Sequence, residues 1–79
     1  MYKDILLIID LRENIVPKRY SSTELIKMIK ANGWKEVRIK GSHHHFRHSE
    51  KPGIVTISHP EKVVPVGTAN YILRQAGLK

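Results

Sequence analysis

Lys35-Glu36-Val37-Arg38-Ile39-Lys40 alternates charged and apolar side chains with a period of two, and Gly41-Ser42 follows at once. That alternation is the pattern of a strand with one buried and one wet face. Gly-Ser at its end suits a two-residue hairpin turn with glycine in the first central position, where φ is positive. His43 to His48 is then the returning strand. Directly opposed residues share a face, so the turn dictates the pairing: Lys40 with His43, Ile39 with His44, Arg38 with His45, Val37 with Phe46. Val37, Ile39 and Phe46 belong toward the core and take His44 with them. Arg38, Lys40, His43, His45 and Arg47 fall together on the opposite face.

The flanks complete a small fold. Ser49-Glu50-Lys51-Pro52 turns the chain, and Gly53 to Ser58 supplies a third strand. With a four-residue turn, Val55 and Ile57 point inward and Ser58 lies opposite His43. His59-Pro60 ends that strand. Upstream, Ser21 and Glu24 have the spacing of a capping box. Leu25, Ile26, Met28 and Ile29 follow as an apolar stripe at helical spacing, with Lys27 and Lys30 turned away. Gly33 closes this helix, predicted over residues 22–32, and Trp34 packs back on its last turn. Downstream, Pro65 and Gly67 mark a loop and Thr68 caps a second helix, whose inner face is Ala69, Ile72, Leu73 and Ala76. Gly77 stops it, and Leu78 folds back as Trp34 does. The order is helix, three antiparallel strands, helix: an α+β domain.

Residues 1–18 stand apart as an extension to the domain of residues 19–79. Ile5 to Ile9 reads as a short strand, able to join the sheet or a neighbouring subunit, and Asn14 and Pro17 interrupt any regular element after it. The surrounding apolar run, Asp4 to Leu11, is far shorter than the ~20 residues a membrane span needs. It lacks a signal-peptide cleavage pattern and carries a carboxylate near each end. A cytoplasmic protein with no membrane role is expected.

Composition narrows the chemistry. With no cysteine there are no disulfides, thiolate metal sites or thiol nucleophiles. Lys and Arg number 14 against 7 Asp and Glu, a formal net charge of +7 in 79 residues. So basic a small domain favours a polyanionic partner, nucleic acid or an acidic protein. Four of the five histidines lie within His43–His48. Histidine exchanges protons near neutral pH, and RNA carries its own nucleophile, the 2′-OH. One histidine to move a proton and cations to hold the phosphate are therefore a sufficient minimal nuclease. His43, at the hairpin mouth on the wet face, is the candidate catalyst. Arg38, Lys40, Ser42, His45 and Arg47 are the candidate RNA-binding residues. His44 reads as a hydrogen-bonded inward histidine. A zinc site on His43 and His45 lacks further ligands nearby, so neither a metal nor another cofactor is expected. Trp34 reads as core rather than as a base-stacking platform.

The motifs also carry a resemblance. Ser-Ser-Thr-Glu-Leu-Ile-Lys at 21–27, Asn-Gly-Trp at 32–34, Lys-Gly-Ser-His-His-His-Phe at 40–46, Lys-Pro-Gly at 51–53, His-Pro at 59–60, Gly-Thr at 67–68 and Arg-Gln-Ala-Gly-Leu at 74–78 follow one another as in HicA-type mRNA interferase toxins. From about Tyr20 to Leu78 the chain resembles that family. The resemblance implies a fold like the double-stranded-RNA-binding domain, and metal-independent endoribonuclease cleavage of mRNA by the histidine after Gly-Ser, here His43. It also implies a HicB-like antitoxin as protein partner. Residues 1–18 have no counterpart in it. Apart from the resemblance, the element order alone would equally suit a non-catalytic double-stranded-RNA-binding module, and the charge a domain that binds an acidic protein.

Overall fold

The computed structural model of the protein describes residues 7–9, 15–17 and 19–79, with side chains from Arg19 onward. In chain order these form strands β1 (Leu7–Ile9) and β2 (Ile15–Pro17), helix α1 (Ser22–Ala31), strands β3 (Trp34–Lys40), β4 (His43–His48) and β5 (Val55–Ser58), and helix α2 (Val66–Gln75). Strands β3, β4 and β5 make one antiparallel sheet in that order, while β1 and β2, among the described residues, pair with each other. Helix, three-stranded sheet and helix give the expected α+β, double-stranded-RNA-binding-domain-like arrangement.

The local signals for α1 act as anticipated. Ser21 Oγ accepts the Glu24 backbone N–H at 3.1 Å, and the Glu24 carboxylate accepts the Ser21 N–H at 2.8 Å. Gly33, at φ +95°, ends the helix in the left-handed region. Trp34 folds back beneath it, 1% exposed, and its Nε1–H donates to the Ala76 carbonyl at 3.1 Å. The start of α2 departs from expectation. The helix begins at Val66 on Pro65, with no side-chain cap, so Thr68 and Gly67 lie inside its first turn. Proline needs no partner hydroxyl to begin a helix, because its ring presets φ; here φ is −53°. The other end closes as expected. Gly77 takes φ +80°, and Leu78 N–H reaches back to the Leu73 carbonyl at 2.8 Å.

Both helices pack on one face of the sheet, over Trp34, Phe46, Val55 and Ile57. Leu25 and Ile29 of α1, Val64 before α2, and Ala69, Ile72 and Leu73 of α2, with Ala76 just past it, complete that core. Fully burying a side chain the size of Phe46 stabilises by roughly 1.5–3 kcal/mol, so a few such residues account for much of what a domain this small can have. No buried side-chain nitrogen or oxygen among the described residues lacks a hydrogen-bond partner. None of their helices is long and apolar enough to cross a membrane.

Two further expectations need correction. Val37 and Ile39 are not under the helices; they are 54% and 55% exposed. The β3–β4 pairing runs as predicted from Lys40–His43 to Arg38–His45, then skips Val37, so that Glu36 opposes Phe46, Lys35 opposes Arg47 and Trp34 opposes His48. Val37 is the extra residue of a β-bulge. Its cause is parity. In an unbroken strand Trp34 would share the wet face with Arg38 and Lys40, yet Trp34 belongs in the core, so the alternation must reverse once between them. Ile39 keeps the helix side through its pairing with His44, but the helices do not extend over that end of the outer strand. The second correction concerns Pro17, expected to interrupt regular structure. It ends β2, opposite Leu7, a terminal position where a strand tolerates a missing N–H. The predicted strand from Ile5 is followed only from Leu7, as Ile5 and Leu6 lie outside the described residues.

Candidate nucleic-acid interface and histidine site

The open face of the sheet is built by alternation along β4. His43, His45 and Arg47 point one way, with Phe46 (fully buried) and His44 the other. Cross-strand partners extend the face: Lys40, Arg38 and Lys35 from β3, and Ser58 and Thr56 opposite His43 and His45 on β5. Gly41 takes φ +60° in the turn, as its place there requires. The five predicted residues Arg38, Lys40, His43, His45 and Arg47 are thus together. Ser42 is in the turn, and its carbonyl accepts the His59 backbone N–H at 2.8 Å.

Among the described residues the only ion pair is His44 with Glu36, at 3.0 Å. Lys35, Arg38, Lys40 and Arg47 therefore stand on an exposed surface with no described carboxylate within reach, a concentration of uncompensated positive charge.

Hydrogen bonding separates the five histidines. His48 is fully engaged: Nδ1 accepts the Glu50 N–H at 2.9 Å and Nε2 donates to the Asn32 carbonyl at 2.9 Å. His44 faces the helix side, bonded through Nδ1 to Glu36 and set edge-on to His59, with ring centroids 5.1 Å apart. His59 Nδ1 lies 2.7 Å from Ser22 Oγ. The same buried oxygen accepts the Glu61 N–H at 2.8 Å, so it joins the helix start to the residues after β5. His45 has one nitrogen committed, Nδ1 to Thr56 Oγ1 at 2.8 Å. His43 is exposed and makes no side-chain hydrogen bond among the described residues; its nearest aromatic neighbour is the His45 ring, 6.5 Å away between centroids. Both its nitrogens are open to a ligand. No three metal-ligating side chains converge among the described residues.

Sequence reasoning missed Lys35, Thr56, Glu36 and the Ser22–His59 pair. Thr56 was within reach, since the register that puts Ser58 opposite His43 puts Thr56 opposite His45. Lys35 and Glu36 depended on the bulge. The link from Ser22 to His59 joins residues far apart in the chain and carries no local signal.

Fold and site together define a small α+β domain, arranged like the double-stranded-RNA-binding domain, whose sheet leaves a basic, histidine-bearing face exposed. A family model described as HicA toxin of bacterial toxin–antitoxin matches residues 22–78. The chain belongs to that family: it is the toxin of a toxin–antitoxin system, and its partner is an antitoxin. No curated protein matches the chain.

Proposed function

We propose that this toxin is an endoribonuclease that cleaves mRNA by histidine acid–base catalysis without a metal ion, with His43 as the catalytic residue. In the reaction the 2′-OH beside the scissile phosphate attacks phosphorus. The O2′–P bond forms as the P–O5′ bond breaks, one proton leaving O2′ and one arriving at O5′. His43 handles the proton at one of these two oxygens. Arg38, Lys40, Ser42, His45 and Arg47 bind the RNA, and the cations nearest His43 offset the charge that builds on the scissile phosphate. The observation that carries this reading is the openness of both His43 nitrogens on a face of unpaired cations. Family membership supports it. Residues 19–79 make up the cleaving domain and residues 1–18 an extension to it. A HicB-like antitoxin inhibits by covering the same face, in the cytoplasm where mRNA is found.

The test is incubation of end-labelled RNA with the purified protein, with and without chelator, beside His43→Ala. Cleavage that survives chelation and disappears in His43→Ala, with the melting temperature unchanged, is the expected result. RNA bound but never cut by the unaltered chain would point instead to a binding module without chemistry.

A further inference from the structure

We propose that the open face is a track for single-stranded RNA, three phosphates long, with the cut at its hairpin end. This rests on the reading that the face cleaves RNA, and adds which form of RNA it takes and where the cleaved bond sits.

Three cross-strand pairs follow one another on the face: Lys40 with His43, Arg38 with His45, and Lys35 with Arg47. The third exists because of the bulge. Without it Glu36 would oppose Arg47 and place a carboxylate at that end. With it, Glu36 turns to the helix side and bonds His44, and Lys35 enters the row. Successive pairs are two residues apart along β4, about 7 Å at the rise of a strand, comparable to one nucleotide of an extended chain. The row is one interstrand spacing wide, about 4.8 Å, which fits a single line of phosphates. It does not widen over β5, where Thr56 and Ser58 are uncharged and the Thr56 hydroxyl bonds His45.

A duplex presents phosphates from two strands across a groove, and this face has cations for one. Attack by the 2′-OH also requires O2′, phosphorus and O5′ in line. A stacked A-form helix holds these atoms out of line, whereas a single strand reaches alignment by backbone rotation. His43 and Lys40 form the last rung, since the β3–β4 pairing ends there at the Gly41-Ser42 turn. Phosphate contacts therefore fall on one side of the scissile bond.

Two measurements on the full chain test this. In the first, His43→Ala, which binds without cutting, is titrated with a fluorescent eight-nucleotide RNA, single-stranded or in duplex, over a series of salt concentrations. Single strands should bind at least tenfold tighter than duplex. Three phosphate contacts give a slope of log K against log salt of about −2, and adding Lys35→Ala with Arg47→Ala, which empties the third rung, should make it shallower by about 0.7. In the second, the unaltered protein cuts DNA oligonucleotides containing one ribonucleotide, which fixes the cut, lengthened by two nucleotides on either side. Lengthening on one side should raise kcat/KM at least tenfold, and on the other less than twofold. Equal binding of duplex, an unchanged slope when both Lys35 and Arg47 are replaced, or equal gains from both extensions would each overturn the track. If no RNA is cut at all, the cleavage reading and the placement of the cut fail together, while the salt slopes still decide the binding track.

Discussion

Two adjacent serines at the start of α1 do different work, and replacing each by alanine separates them. Ser22 is 1% exposed, and its hydroxyl accepts from the Glu61 N–H and shares a hydrogen bond with His59 Nδ1. Ser22→Ala keeps the backbone bond from Ser22 N–H to the Glu61 carbonyl but leaves two partly buried groups unsatisfied. At about 1 kcal/mol each, the low end for groups with some access to water, the loss is about 2 kcal/mol. For a domain of this size that lowers the melting temperature by about 8–16 °C. Ser21→Ala removes an exposed cap instead, a loss of about 1 kcal/mol, or about 4–8 °C. Trp34, the single tryptophan, is buried and reports unfolding in urea by fluorescence, with circular dichroism following the helices on heating. A Ser22→Ala protein that is no less stable than Ser21→Ala would refute the assignment of the Ser22 hydroxyl to Glu61 and His59.

Three further outcomes are expected. Gly33→Ala combines a left-handed φ with a Cβ 2.7 Å from His48 Nε2, so it should destabilise by about 1–3 kcal/mol and shift the His48 ring resonances in an NMR spectrum. Reversing the charge of Lys40 and Arg47 together should slow capture by the antitoxin at least tenfold and flatten its salt dependence, measured by stopped flow. A chain beginning at Tyr20 should fold cooperatively and cut RNA as the full chain is proposed to, because every buried core side chain described lies beyond that point; melting, sedimentation and RNA cleavage beside the full chain would check this.

Much of the domain was legible because its signals are local. The Ser21–Glu24 box, Gly33 and Gly77 each act within one turn of helix, and Gly41-Ser42 sets the register of the strands on both sides. What escaped was the bulge, although its cause was present in the sequence. Assigning Trp34 to the core together with Ile39 asked one strand to bury positions of opposite parity. An alternating pattern does not reveal which residue absorbs the mismatch, since that depends on where Glu36 and Lys35 find their neighbours. Thr68 was misjudged for a simpler reason: a hydroxyl near a predicted helix start resembles a cap, but proline three residues earlier begins the helix unaided. Of the site, the face could be read from the hairpin alone, whereas the distinction between His43 and the engaged histidines required partners from β3, β5 and the loop after it.

The bulge has a consequence for solubility. Strand β3 is an outer strand of its sheet, and it exposes Val37 and Ile39, the kind of edge on which unrelated chains nucleate aggregates. A toxin released from its antitoxin needs that edge to stay bare. The kink at Val37 interrupts the straight row of N–H and C=O groups that an incoming strand would match. Lys35, Arg38 and Lys40 on the same strand would bring like charges together if two copies met edge to edge. Straightening β3 would therefore do more than move Glu36: it would restore the row of groups an incoming strand could match and leave only the like charges to oppose it.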